Sequence, residues 1–356
     1  MKLRRHGDGY HFFGDTQSGI TMRWGHTLAE NPVRAPWPEL ADISISNHCT
    51  KGCPFCYKNS TDNHVFMSPA EYAAVLKHLQ SDRWGNVFQV ALGGGEPLEH
   101  PQFEQILQIT QRADVVANFT TNGLHLDNAV ARMLSGRVGS VALSVGTALE
   151  IDPQKIRLLV DAGVHVNLHF VLSDSSLDDA IALLNGRYND LLLGIDSVIF
   201  LTYKPAGRAA DSDCLHANNR LLAFASLVDK NDCCARIGFD ACFVPFLMRH
   251  TDVNTDFIDP CECGFFSVYV DEHMQVKPCS FCNEDRYCFS LHEHTMQEIW
   301  ENLFEPYRQE VCSNICQSTC KNLQNCRGKC LFYEQLALCF TPACINQTPQ
   351  TGITVD

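Results

Sequence analysis

Cys49, Cys53 and Cys56 stand in the segment NHCTKGCPFCYKNS (residues 47–60) at the spacing C-x3-C-x2-C, with Phe55 and Tyr57 flanking the third cysteine. Three thiolates in one loop match three kinds of chemistry. A structural zinc ion would need a fourth ligand from elsewhere in the chain. A redox dithiol would leave the third sulfur without a purpose. An iron–sulfur cluster held by three cysteines keeps one iron open for a ligand, and an open metal position is what catalysis needs. A larger concentration of sulfur follows downstream, since thirteen of the 19 cysteines lie between Cys242 and Cys344. In a small secreted protein that density would mean disulfides. This chain has 356 residues, and no apolar export segment follows its basic start MKLRRHGDGYHFFGD, so metal ligation is the better reading.

The elements that must position these residues alternate in type. Strands are expected at Ile43–Ser46, Val87–Leu92, Val115–Thr120, Val141–Ser144, Val166–Leu172 and Val198–Thr202. Helices are expected after Ser68, whose hydroxyl, Pro69 and Glu71 make a capping box, and at Gln102–Arg112, Asn128–Leu134, Pro153–Asp161, Leu177–Asn185 and Leu215–Asp229. Repeated strand–helix units imply an α/β fold with a parallel sheet, here a partial (β/α)6 barrel two units short of closure, with its site at the C-terminal strand ends. Gly9–Gly25 reads as a small N-terminal β-hairpin and the Pro-rich ENPVRAPWPEL as a linker. The expected division is 1–40 (hairpin and linker), 41–230 (barrel core) and 231–356 (an irregular Cys-rich iron–sulfur domain).

The cysteine loop CTKGCPFCY resembles the signature of radical S-adenosylmethionine (SAM) enzymes. The resemblance implies a [4Fe–4S] cluster on Cys49, Cys53 and Cys56, with SAM chelated to the open iron and cleaved to a 5′-deoxyadenosyl radical. It also implies that Phe55 packs near the adenine. In ALGGGEPLEHP, Gly94, Gly95, Glu96 and Pro97 resemble the family's GGEP motif, which receives the SAM amino group. Glycines permit close backbone approach, and an acidic group suits an ammonium. Thr120, Thr121 and Asn122 in NFTTNG, and Ser144 in VALSV, end the next two strands, where small polar groups meet the ribose or carboxylate of SAM or form ordinary strand-end turns. Arg208, near the end of the sixth strand, is a substrate contact or a solvated arginine. Asp240, just before Cys242, is an acid/base or orienting group, or a turn-forming aspartate.

From Cys242 onward the chain resembles the SPASM extension, which carries auxiliary [4Fe–4S] clusters in many such enzymes. CQSTCKNLQNCRGKC spaces its cysteines C-x3-C-x5-C-x3-C where the family usually has C-x2-C-x5-C-x3-C, and Met274 stands where the family has a glycine five positions before a cysteine. IWENL fits the helix such domains carry. Carried over by position, a first auxiliary cluster uses Cys242, Cys261, Cys279 and Cys330. A second uses Cys316, Cys320, Cys326 and either Cys339 or Cys344. Cys263, Cys282, Cys288 and Cys312 are then surplus or alternative ligands, and C-x3-C pairs also suit zinc. His273, His292 and His294 fit no metal pattern.

Enzymes of this layout mostly modify peptides or proteins. FFSVYV and PCSF, with the hairpin, resemble peptide cyclophane-forming maturases. The function expected is therefore cross-linking of side chains in a ribosomally made precursor peptide, with a flavodoxin- or ferredoxin-type electron donor. Formylglycine-type maturation of a partner protein, peptide epimerisation and a zinc-stapled binding module are the alternatives. A net charge of −14 argues against a nucleic-acid partner. No apolar run is long enough for a membrane span, and the expected location is the cytoplasm.

Overall fold

The computed structural model describes residues 2–6, 9–16, 19–312 and 326–339. Three strands open the chain: β1 (Lys2–His6), β2 (Tyr10–Gly14) and β3 (Thr21–Trp24), paired antiparallel in that order. The expected hairpin is thus present and carries a third strand. The Pro-rich stretch after it is no free linker. Ala35 and Trp37 are buried, the Trp37 indole donates to the Leu79 carbonyl, and the Trp300 indole donates to the Ala35 carbonyl. Two tryptophan N–H groups with backbone partners anchor this strap at both ends.

The core then alternates as the sequence pattern requires. β4 (Leu40–Ser46) leads through the cysteine loop to α1 (Pro69–His78). A short ribbon, β5 (Gln80–Ser81) and β6 (Gly85–Asn86), precedes β7 (Gln89–Gly94). There follow α2 (Phe103–Arg112), β8 (Val116–Thr121), α3 (Asn128–Leu134), β9 (Ser140–Val145), α4 (Pro153–Asp161), β10 (His165–Leu172), α5 (Leu177–Leu184), β11 (Ser197–Thr202) and α6 (Asn219–Val228). Ser68 caps α1 as expected: its hydroxyl accepts from the Glu71 N–H, and Glu71 returns the bond to the Ser68 N–H at 2.7 Å. α6 starts later than expected because Asn218 is its cap, accepting from the Leu221 N–H.

Beyond residue 230 the chain does not leave this sheet. β12 (Arg236–Phe239) adds parallel to β11. At the other edge β13 (Ser267–Val270) adds parallel to β4, followed by antiparallel β14 (Gln275–Lys277) and β15 (Phe289–Ser290). The order is β12-β11-β10-β9-β8-β7-β4-β13-β14-β15. α7 (Val244–His250) follows β12. IWENL, expected to be helical, forms a widened π turn, Ile299–Leu303, between the short α8 (Met296–Glu298) and α9 (Glu305–Cys312). Met274 has φ +61, so the position at which the family carries glycine is left-handed here with a side chain on it. Among the described residues no helix is long and apolar enough to cross a membrane.

Strand alternation separates two faces. Val166, Leu168, Phe170 and Leu172 of β10, with their counterparts on β7, β8, β9 and β11, are buried in one apolar core with the helices. The opposite face is polar and half-buried. Gln89, Asn118 and Ser140 are hydrogen-bonded in sequence across β7, β8 and β9, and Asn167 accepts from Ser197 across β10 and β11. Fully covered parallel strands read as apolar on both faces. A polar second face marks a lumen.

Candidate active site

Because the strands are parallel, all their C-terminal ends lie at one rim, and the cysteine loop is seated there. The loop is closed on itself by Asn47 N–H to Val65 O and Cys49 N–H to Thr61 O, both at 3.0 Å. It is docked onto the end of β7. A Cβ on Gly94 (φ +105) would overlap the Ser46 carbonyl oxygen, and one on Gly95 would overlap the His48 backbone. The Gly95 and Glu96 N–H groups donate to Ser46 O and His48 O at 2.7 and 2.8 Å. What these two glycines admit is the backbone under the loop, where the sequence reading had a ligand. Gly93, which that reading passed over, has nothing within 4 Å of where its Cβ would stand, and it continues the lumen row of Gln89 and Ala91.

Glu96 is likewise internal. Its buried carboxylate accepts from Thr121 Oγ1 (2.6 Å), Asn122 N (2.7 Å) and Leu98 N (3.1 Å), tying the ends of β7 and β8 together. Burial raises its pKa although the three donors pull it down. Buried Pro97 opens the following 3₁₀ turn. Thr121 is thereby committed to Glu96, whereas Thr120 is on the lumen face, its hydroxyl 3.2 Å from His169 Nδ1. Ser144 lies beside His169 in register. Burial pushes His169 down to about 4, so this imidazole is neutral at pH 7. Asn122 directs its amide at Cys49 Sγ, 3.8 Å away. Phe55 rests on Gly146 after β9, where a Cβ would come within 2.5 Å of its ring. Gly146 carries no motif of its own and is legible only from this contact.

Arg208 is held against the cysteine loop. Its Nε donates to Cys53 O at 3.1 Å, its guanidinium to Ser60 O at 2.6 Å, and its backbone N–H to Cys56 O at 3.0 Å. It is a positioning residue for the cysteine loop. Charge-assisted bonds of this kind contribute about 1.5–3 kcal/mol each. Arg208→Ala is expected to lower iron by up to about four atoms per chain after reconstitution. Arg208→Lys should recover little, because an ammonium cannot span both carbonyls. Iron and sulfide analysis at matched protein concentration reads this, and unchanged iron would refute the role.

Beneath the loop, Lys58 donates to Glu272 Oε2 (2.9 Å) and Tyr269 OH (3.0 Å), and Ser44 donates to the same Glu272 oxygen. Asp42, opposite Tyr269 in register, is pushed up to about 7 by burial against the pull of Lys58. An unfolded aspartate ionises near pH 4. The folded protein therefore loses stability as pH rises from about 4 to about 7, and the loss is complete above that. Asp42→Asn is expected to raise Tm by an increment that grows across this window and is level from about pH 7.5 to pH 9. An increment independent of pH would dismiss Asp42 as its source.

A second thiol group gathers near Lys204 and Tyr307. Cys263 is hydrogen-bonded to both Cys261 and Cys279, and Cys242 and Cys330 are close enough to interact electrostatically with this set. Burial raises the pKa of Cys242, whereas thiol–thiol hydrogen bonding leads at Cys261. The structure thus brings together the four cysteines assigned to the first auxiliary cluster and adds Cys263, which the sequence reading left as surplus. Cys282 and Cys288 bond elsewhere, to Glu284 O and Gln275 Oε1. Of the second set, Cys326 and Cys339 are described and half or more buried, while Cys316, Cys320 and Cys344 lie outside the described residues.

Between the two thiol groups stands a buried ion pair. Lys204 Nζ donates to Asp240 Oδ2 (2.7 Å) and Thr202 O (2.9 Å), and Thr202 Oγ1 donates to Asp240 Oδ1 (2.6 Å). Burial would lower the Lys204 pKa, but Asp240 together with Cys242 and Cys330 outweighs it and the net direction is upward. The ammonium sits 4.5 Å over the Phe281 ring, which packs on Tyr57 at 4.5 Å between centroids. Tyr57 adjoins Cys56 and Phe281 is two residues past Cys279, so one aromatic contact links both sets.

Both thiol sets suit a polynuclear cluster better than a single ion. Among the described residues no three of these sulfurs lie within 4.8 Å of one another. Sulfur ligands around one tetrahedral zinc stand about 3.8 Å apart.

Residues 43–196 match the Radical SAM superfamily. The chain is 25% identical over 309 residues to the mycofactocin maturase MftC of Mycobacterium tuberculosis, covering 80% of this chain and 75% of that protein. Its fold matches Streptococcus suis SuiB bound to the precursor peptide SuiA at TM-score 0.65 and 16% identity, over 83% of this chain and 72% of SuiB. It also matches anSMEcpe with bound AdoMet and the Cp18Cys peptide at TM-score 0.59 and 17% identity, over 85% and 94% of the two chains.

Proposed function

This chain is a radical SAM enzyme, and on that premise we propose that it matures a ribosomally made precursor peptide by joining two of its side chains. The observation that carries the reading is the second thiol group: five half-buried cysteines gathered together, linked to the cluster loop through Tyr57 and Phe281. A peptide cross-link removes two hydrogens. One leaves as an atom, and the other leaves as a proton and an electron, so the site needs both a proton acceptor and an electron acceptor. A relative named a maturase, another named a PqqA peptide cyclase, and a fold shared with SuiB bound to the precursor peptide SuiA support the choice of a peptide.

The cluster and SAM, when bound at Cys49, Cys53 and Cys56, supply the electron and the carbon radical that takes the hydrogen atom. The chain's own residues do the rest. Arg208, Asn122 and the Gly94–Glu96 turn hold the loop in place, and Phe55 on Gly146 offers a flat apolar wall for an adenine. Gly93, Thr120 and Ser144 leave a polar, uncrowded floor for a ribose and carboxylate. Asp240, held by Lys204 and Thr202, accepts the proton. Cys242, Cys261, Cys279 and Cys330, with Cys263 as an alternative, would hold an auxiliary cluster, which would supply the electron acceptor. Cys326 with Cys316, Cys320 and Cys339 or Cys344 holds a second. A flavodoxin- or ferredoxin-type protein supplies the priming electron. The organisation into 1–40, 41–230 and 231–356 assigns these tasks to substrate approach, radical generation and electron removal.

Anaerobic incubation of the reconstituted enzyme with SAM, a reductant and the short peptide encoded beside its gene tests the proposal. A loss of about two mass units with 5′-deoxyadenosine formed is the expected result. Unchanged peptide mass with solvent deuterium incorporated would establish epimerisation instead and overturn the cross-link.

A further inference from the structure

Beside the cluster loop is a second donor set that neither the three cysteines nor the lumen uses. His48, the residue before Cys49, is buried, and its Nδ1 lies 3.4 Å from Asp62 Oδ1. The same carboxylate oxygen is 3.3 Å from His64 Nε2, and the three ligand atoms lie within 4.8 Å of one another. We propose that His48 Nδ1, Asp62 Oδ1 and His64 Nε2 bind one divalent cation, zinc by the character of the donors, and that it staples together the two legs of the cysteine loop.

The first support is the protonation pattern. His48 Nε2 faces Glu99 Oε2 at 3.2 Å, and the His64 backbone N–H donates to His48 Nδ1 at 3.3 Å. A nitrogen that accepts from an N–H carries a lone pair, so the ring proton is on Nε2 and points at Glu99. The Nδ1 lone pair and the Asp62 oxygen are then two acceptors 3.4 Å apart, and a cation ligated by Nδ1 would replace the His64 N–H on that lone pair. A cation between them turns their repulsion into ligation. The carboxylate behind the far nitrogen is the arrangement that orients a metal-bound histidine and raises its basicity.

The second support is size. Ligands on a tetrahedral ion with bonds of about 2.0–2.1 Å stand about 3.4 Å apart, as the two measured contacts do. Two imidazoles and a carboxylate suit zinc and leave its fourth position to water. The His48 and His64 rings are stacked, 17° from parallel with centroids 4.8 Å apart, so the His64 ring must turn for both lone pairs to reach one ion. His64 has its side chain largely exposed, so its ring is free to turn its lone pair inward. His64 also holds φ +53. That left-handed backbone is uncommon for a residue with a side chain and points to a local demand on where the imidazole goes.

The consequence follows from chain position. His48 precedes Cys49, and Asp62 and His64 follow the loop that carries all three thiols. A cation shared between them closes residues 49–61 at their base, beside the backbone bridge of Cys49 to Thr61 and the hydrogen bond from Ser60 to Asn47.

The test uses the fully reconstituted, iron-replete enzyme under anaerobic conditions with Zn²⁺ as the probe. Wild type, His64→Ala and Asp62→Asn are equilibrated with the same zinc buffer, passed over a desalting column and assayed for zinc and iron. Wild type is expected to retain about one zinc per chain more than either variant, with iron equal in all three, and calorimetry should show at least about a tenfold weaker affinity in the variants. The cysteines are common to all three proteins, so zinc taken up by thiols cancels in the comparison. Equal zinc in the three proteins overturns the proposal, as does an excess in wild type accompanied by lower iron in the variants.

Discussion

Replacing Cys49, Cys53 and Cys56 together by alanine is expected to abolish SAM cleavage while about eight of about twelve irons per chain remain. The loss is expected to be complete because alanine at all three positions leaves the loop no thiolate. Asn122 and Arg208 reach the loop with nitrogen donors, and nitrogen–hydrogen groups do not ligate iron. The retained iron follows from the separation of the two thiol sets. Cys242, Cys261, Cys263, Cys279 and Cys330 interact with one another and with Lys204 and Arg327. Iron analysis and chromatography of 5′-deoxyadenosine read the two halves independently. Residual cleavage in the triple variant would remove the first cysteine set from its role, and loss of all iron would show that the loop is needed to fold the rest.

Lys204→Ala should have the second largest effect, on stability and on turnover together. The Lys204 side chain is 4% exposed and that of Asp240 18%. Removing the ammonium leaves a carboxylate between two sets of sulfurs with only Thr202 to donate to it. Breaking such a buried pair costs about 3–5 kcal/mol, a large share of the stability of an ordinary domain. A fall in Tm of about 5 °C or more is expected. Peptide product should fall further than SAM cleavage, because the proton-accepting role proposed for Asp240 belongs to the peptide step and not to SAM cleavage. Lys204→Met with Asp240→Asn removes both charges and should restore most of the Tm but not the product. If the double variant restores both, the pair is only structural. If it restores neither, the site depends on the ammonium beside the thiols, which Lys204→Arg would then test.

Much of the architecture is written in local pattern. The periodicity of β8 through β11 and the caps of α1 and α6 are short-range facts, set by side-chain direction and by hydrogen bonds within a few residues. That is why every barrel strand falls within three residues of its expected start. The strand β12 and the edge β13–β15 were not legible, because their pairing partners are far away in sequence: β13 is aligned by Leu40–Ile43. The same holds for the Pro-rich strap, whose composition reads as loose and whose anchors are Leu79 and Trp300.

The site divides in the same way. Sequence alone singled out the three thiols, whose fixed spacing after a strand has few uses, and the resemblance to the family rests on them. Only the tertiary structure decided what the remaining motif residues do. Glu96 and Thr121 hold each other, Gly94 and Gly95 admit backbone, and Arg208 clamps the loop. Thr120, Ser144 and His169 share the lumen. Cys263 joins the thiols of Cys261 and Cys279, and His48 meets Asp62 and His64. Ligand type is a property of one residue and its near neighbours. Partnership depends on long-range packing, in which a hydrogen bond or a thiol contact is decided by tenths of an ångström between strands that the chain brings together only when it folds.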